Sequence, residues 1–246
     1  MIVTTTELQN SFGKYLKLTE TEDIVITKNG KRVARLVPYF KEKNDCFEDE
    51  SNFAICESAT ECMYAGTKVS YDEFLKISVA SEKRYEYIDG EIFLLASPFY
   101  AHQKAVREIF GEFIFWFRGK ECEPLDAPFD VTLYKSKDNI NVVQPDILVI
   151  CDKENIDQKG KYNGIPTLVV EILSESTKRK DLIKKLNLYM ATGVKEYWIV
   201  NTDSKEVYIY TFNDGDIKSM NSFKGADKAE SPTFKGLGIE LEQIFT

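Results

Sequence analysis

The sequence predicts a mixed α/β domain preceded by a smaller αβ module. Three observations carry that prediction. Two apolar, strand-like runs, "VVQPDILVI" and "TLVVEILS", each enclose one carboxylate, Asp146 and Glu171; an amphipathic stretch follows the second run; and a separate helix-then-hairpin pattern is confined to the first 43 residues.

At 246 residues the chain is long enough to bury a substantial core. No apolar run approaches the length needed to cross a bilayer, and "MIVTTTELQN" has neither a basic n-region nor an apolar h-region, so we expect no membrane partner and a cytoplasmic location. Five cysteines, Cys46, Cys56, Cys62, Cys122 and Cys151, form no C-x-x-C pair, and His102 is the single histidine; this argues against zinc and reads as reduced thiols. The net charge is -8, unevenly spread: residues 1–43 hold eight Lys/Arg and five Asp/Glu, hence +3, which leaves -11 for the rest. Electrostatics therefore allows a basic N-terminal module.

In "TTTELQNSFGKYLKL", Thr6 and Gln9 have capping-box spacing, and Leu8, Phe12, Tyr15 and Leu16 recur on one helical face. "DIVITKNGKRVARLVPY" places two β-rich runs around Asn29-Gly30, a hairpin signal. So small a unit gains by dimerising. These segments resemble the prevent-host-death type of antitoxin. The resemblance implies a dimerising, DNA-binding module over residues 1–43, with Lys28, Lys31 and Arg32 as DNA-binding candidates, a homodimer, and a toxin as a further partner. The alternative is that these cations only flank a dimer interface.

Residues 44–66 contain six acidic residues and no basic ones, which suits a linker or an interaction segment. The second domain spans 67–246. "SYDEFLKI" predicts a short helix, "KRYEYIDGEIFLLA" a hairpin turning at Asp89-Gly90, and "AHQKAVREIFGEFIFWFRG" a long apolar-faced helix. Strands follow at "FDVTLYK", "VVQPDILVI" and "TLVVEILS", then a helix over 177–192 and a strand pair in "EYWIVNTDSKEVYIYTFND".

An ionised carboxylate in a strand buried on both faces costs several kcal/mol unless a metal, a cation or hydrogen bonds satisfy it. Asp146 and Glu171, central in neighbouring strands, can meet across the sheet and hold a hard divalent cation, Mg²⁺ or Mn²⁺, with the backbone carbonyl of Ile172 as a further oxygen ligand. The alternative is neutralisation of each acid by a buried Lys or Arg, or exposure at a sheet edge.

Pro145-Asp146 followed by Glu171 resembles the nuclease superfamily marked by Pro-Asp, a spacer and Asp/Glu-x-Lys, although Leu173 stands at the lysine position. Residues 71–245 are similar in the order of "RYEYIDGEIF", "AHQKAV", "VVQPDILVI", "IPTLVVEILSESTKRKDLIKKLNLYMATGVKEYWIV" and "LGIELEQIF" to a bacterial restriction-endonuclease-like family of that superfamily. The resemblance implies a restriction-endonuclease-like core, metal-dependent hydrolysis of DNA, and a lysine that has migrated to the helix. At ~100° per residue, Leu182, Ile183, Leu186, Tyr189 and Met190 share one face, Lys184 lies nearly opposite, and Lys185 sits at the flank, able to reach the sheet. Lys185 then orients the attacking water and offsets transition-state charge; otherwise it is a surface pair with Asp181. Glu86 and His102 fall on family motif positions. Glu86 is a candidate third carboxylate or an exposed hairpin residue, and His102 a cap, a core imidazole or a base. Lys178, Arg179 and Lys180, in the first helical turn, oppose the helix dipole unless a DNA phosphate sits there.

Overall fold

The computed structural model describes residues 2–5, 7, 24–28, 31–36, 67–158, 160–173 and 180–245. The chain divides into two units, Met1–Glu50 and Ser51–Thr246.

In the first unit β1 (Ile2–Thr4) runs parallel to β2 (Ile24–Lys28), which pairs antiparallel with β3 (Lys31–Leu36). Val3, Ile24 and Ile26 are buried, the two isoleucines showing the period of two that puts alternate side chains on one face. β2 and β3 pair as the expected hairpin, with Lys28 opposite Lys31; Asn29 and Gly30 lie outside the described residues. β1 was not anticipated, because three residues are too few to show an alternation. The expected helix at Leu8–Leu16 and the acidic segment 44–66 lie outside the described residues.

The second unit opens with α1 (Tyr71–Ala80). Ser70 Oγ accepts from the Glu73 backbone N–H and Glu73 Oε2 accepts from the Ser70 N–H, a reciprocal capping box that fixes where the helix begins. β4 (Tyr85–Ile88) and β5 (Glu91–Leu94) form the expected hairpin, with Asp89 at φ 50° and Gly90 at φ 84°, the left-handed pair that an Asp-Gly turn supplies. α2 (Tyr100–Phe117) buries Ala105, Ile109, Phe113 and Phe117 along one stripe. There follow β6 (Glu123–Asp126), β7 (Val131–Ser136), β8 (Asn139–Val143), β9 (Ile147–Ile150), β10 (Leu168–Leu173), α3 (Lys180–Thr192), β11 (Glu196–Asn201), β12 (Glu206–Asn213), β13 (Asp216–Lys224), β14 (Lys228–Glu230), β15 (Gly238–Glu240) and α4 (Leu241–Phe245).

Six strands form the main sheet in the order β13-β12-β11-β10-β9-β6. β10 and β11 are parallel and joined through α3, as a parallel pair requires a crossover; the other neighbours are antiparallel. A second sheet has the order β5-β4-β8-β7. The architecture is thus the mixed α/β sheet that the sequence predicts.

"VVQPDILVI", read as one strand, is two. β8 ends at Val143 in the smaller sheet and β9 starts at Ile147 in the larger, so Asp146 stands at a strand entrance and not at a strand centre. Pro145 supplies the reason: it offers no N–H to a ladder. The main sheet is covered on both sides. Leu168, Val170 and Ile172 pack with the α2 stripe and Trp198, whereas Val169 packs with Leu188 and Tyr189 of α3 on the opposite face. Glu171 takes the parity of Val169 and so faces α3.

Cys122 and Cys151 form a disulfide, which corrects the expectation of reduced thiols at these two positions. The pairing of Glu123 with Ile150 brings the next residue of each strand end opposite, with Cα atoms 4.1 Å apart, a proximity created by β6–β9 pairing across 29 residues of sequence. Among the described residues no helix is long and apolar enough to cross a membrane.

Candidate active site

Three elements deliver the charged residues to one place. Glu171 comes from β10, Glu86 from β4 of the smaller sheet, and Lys185 from α3; all are buried, at 8 %, 3 % and 8 % exposure. The Lys185 ammonium donates to Glu86 Oε1 and to Glu171 Oε1, each at 2.9 Å. Glu171 Oε1 also accepts from the Tyr189 hydroxyl at 2.7 Å. Glu86 Oε1 accepts in addition from the backbone N–H of Gln144 at 2.9 Å, two residues before Asp146. Asp146 Oδ2 accepts from the Ile172 N–H at 2.7 Å, and His102 Nε2, from the first turn of α2, lies 3.2 Å from the same oxygen. Each of the three carboxylates therefore has one oxygen held by two groups.

Charge in the cluster is unbalanced. Burial, joined by the negative charges of Asp146 and Glu86 and opposed by Lys185 and the Tyr189 hydrogen bond, pushes the Glu171 carboxyl up to about 7. Burial works against the Lys185 ammonium, but Glu171 and Glu86 outweigh it and hold its pKa well above the usual lysine value. For His102, burial is likewise opposed, and the hydrogen bond and charge of Asp146 raise the imidazole above its ordinary value, with smaller contributions from Glu171 and the Ile172 backbone. Nδ1 of His102 is buried without a hydrogen-bond partner among the described residues.

The cluster contains the four residues that the sequence suggests for catalysis, Asp146, Glu171, Lys185 and Glu86, and His102, for which the sequence leaves open a cap, a core imidazole or a base, lies beside Asp146. Glu86 is not an exposed hairpin residue, and Lys185 is not a surface partner of Asp181. The helical wheel needs two corrections. The buried stripe of α3 runs through Lys185, Leu188, Tyr189 and Thr192, leaving Ile183 61 % exposed. Lys184 does not point away from the sheet but pairs with Glu91 of β5, 4.8 Å above the Phe93 ring. Tyr189, read as a core residue, puts its hydroxyl on Glu171. Its position four residues after Lys185, on the same helical face, was the available signal. Leu173 packs with the α3-side core.

Not every candidate joins the cluster. Lys178 and Arg179 lie outside the described residues, as do the side chains of Lys180 and Arg32; Lys28 and Lys31 are exposed at the β2–β3 turn of the first unit. Among the described residues no group of three or more His, Cys, Asp or Glu side chains is arranged to hold a metal, so a cation here would rest on Asp146 and Glu171 with backbone oxygen.

A mixed sheet whose central strands bring a Pro-Asp aspartate and a glutamate together beside a buried lysine defines a restriction-endonuclease-like domain. The profile of the Uma2 family, described as "Putative restriction endonuclease", matches residues 71–242, and the chain belongs to that family. A second profile, "Antitoxin Phd_YefM, type II toxin-antitoxin system", matches residues 1–50, so the two units follow each other in one chain as a fusion. An uncharacterised protein of Synechocystis sp. is 28% identical over 181 residues, covering 72% of this chain and 92% of the relative. The crystal structure of a "putative nuclease" from Anabaena variabilis matches with a TM-score of 0.60 at 20% identity, over 72% of this chain and 97% of that one, a likeness of fold.

Proposed function

We propose that the second unit is a metal-dependent endonuclease that hydrolyses phosphodiester bonds in DNA, and that the first unit dimerises and binds DNA. The observation that carries the reading is the convergence of Asp146, Glu171, Glu86 and Lys185 at the entrance of β9 and the middle of the neighbouring β10. The donor set fits a hard divalent cation such as Mg²⁺ or Mn²⁺: the groups are carboxylates and they outnumber the lysine. Asp146 and Glu171 would hold the ion with the Ile172 carbonyl. A bound ion supplies Lewis acidity and a more acidic water. Lys185, anchored by two carboxylates, presents its ammonium to the attacking water and to the charge that develops on phosphate. Ile172 N–H and His102 fix the Asp146 carboxylate, and Glu86 fixes the lysine. Lys178, Arg179 and Lys180, with Lys28, Lys31 and Arg32 of the dimerising unit, contact DNA phosphate.

Plasmid DNA incubated with protein and Mg²⁺ or Mn²⁺ tests this. Wild type cleaves, and Asp146→Ala and Lys185→Ala do not; equal cleavage by all three removes the site assignment. A second reading, a regulator that binds nucleic acid or a toxin without cutting, is favoured by the pairing of Glu171 with Lys185 and Tyr189 and of Asp146 with His102, which satisfies the acids internally. It predicts no cleavage of DNA or RNA by wild type.

A further inference from the structure

We propose that Tyr189 is a positioning residue that fixes the orientation of the Glu171 carboxylate, so that its second oxygen stays open to a bound cation; this rests on reading Asp146 and Glu171 as a cation site. The terminal torsion of a glutamate is broad, so a carboxylate held by one donor keeps rotational freedom about that contact. Glu171 is held by two donors on a single oxygen, the Lys185 ammonium at 2.9 Å and the Tyr189 hydroxyl at 2.7 Å. Among the described residues no donor reaches Oε2. Both donors come from one face of α3, four residues apart, so the clamp is as rigid as the helix that carries it.

Tyr189 is itself immobilised. It is fully buried, and its ring meets Tyr197 edge-on with centroids 5.0 Å apart. A hydroxyl has one proton to give, and this one goes to Oε1. Oε2 is left for the cation.

The test measures Mn²⁺ affinity of the full chain by calorimetry or by electron paramagnetic resonance, with no DNA present. Tyr189→Phe keeps the ring and removes the donor; we expect Mn²⁺ affinity to fall by about 10- to 100-fold, as for other groups that orient a ligand, while near-ultraviolet circular dichroism reports an unchanged fold. Tyr197→Phe, a neighbouring buried ring whose hydroxyl makes no hydrogen bond to Glu171, is expected to bind as wild type does. Wild-type binding with equal affinity in Y189F overturns the positioning role and leaves the cation site standing. No binding by wild type overturns the cation site itself. Should Y189F not fold, a tyrosine difference spectrum on adding Mn²⁺ to wild type serves: it is expected to show a perturbed tyrosine that Y197F retains, and its absence overturns the proposal.

Discussion

Replacing Lys185 by methionine removes the positive charge while keeping most of the side-chain volume, and it isolates the electrostatic link on which the cluster depends. Lys185 makes two buried contacts at 2.9 Å, to Glu86 and Glu171, so the variant leaves two carboxylates without their shared cation. Breaking a buried pair by removing one partner costs about 3–5 kcal/mol. The cost depends on pH, with a definite sign. In the wild type the Glu171 carboxyl is pushed up to about 7, and Lys185 is the main group opposing that rise; without it, the carboxyl holds its proton to still higher pH. Below about pH 7 Glu171 is protonated in both proteins, and the loss sits near the lower figure. Above it the wild type has released the proton and the variant has not, so the variant falls behind by a further ~1.4 kcal/mol per pH unit until its own Glu171 ionises. Urea denaturation of both proteins at about pH 6 and about pH 8, in EDTA, measures the difference. An equal loss at the two pH values would refute the coupling of Lys185 to Glu171, and a loss under ~1 kcal/mol at both would show that the lysine is exchangeable with solvent.

Other outcomes follow from the same geometry. Glu171→Gln removes a carboxyl whose folded pKa is raised, a group whose stabilisation is full at low pH and lost as pH rises from about 4.5 to about 7; metal-free wild type is therefore expected to lose stability across that window relative to the glutamine variant, and parallel denaturation midpoints would count against it. Glu196→Ala leaves the buried Trp198 indole and Ser231 hydroxyl, and the part-buried Thr233 amide, without their acceptor, an expected loss of about 3 kcal/mol by chemical denaturation. Phe113→Ala is expected to cost about 3–5 kcal/mol, since the ring is fully buried against Trp198 at 5.6 Å between centroids. Cys122→Ser opens a loop of 29 residues and is expected to lower stability by about 3 kcal/mol without reductant and to change nothing in its presence; identical curves for wild type with and without reductant would contradict the disulfide.

What the sequence made legible depends on how local each signal is. The capping box at Ser70, the turn at Asp89-Gly90 and the apolar stripe of α2 are written within a few residues, and they appear where expected. The carboxylates of the site were legible because ionisable groups inside apolar runs demand compensation. β13 was missed although Asp214-Gly215 offered the same kind of turn signal as Asp89-Gly90: its side chains are mostly exposed, so no apolar alternation confirmed the strand. Pro145 marks the break, but the apolar residues on both sides of it give the segment the pattern of a single strand. Other contacts between distant segments have no local signal. Nothing local predicts that the Gln144 amide would reach Glu86, 58 residues away, or that Cys122 and Cys151 would meet.

The source of the lysine sets an order of events. Asp146 and Glu171 leave the ribosome before the helix that carries Lys185, and Lys185 can reach Glu171 only once that helix has packed on the sheet. A nascent or truncated chain ending before residue 185 would hold the acids without the ammonium that completes them. If the chain cuts DNA, the cluster that would do so is therefore complete only after Lys185 has been made and its helix packed. A lysine at position 173, two residues from Glu171 on the same strand, would offer no such delay.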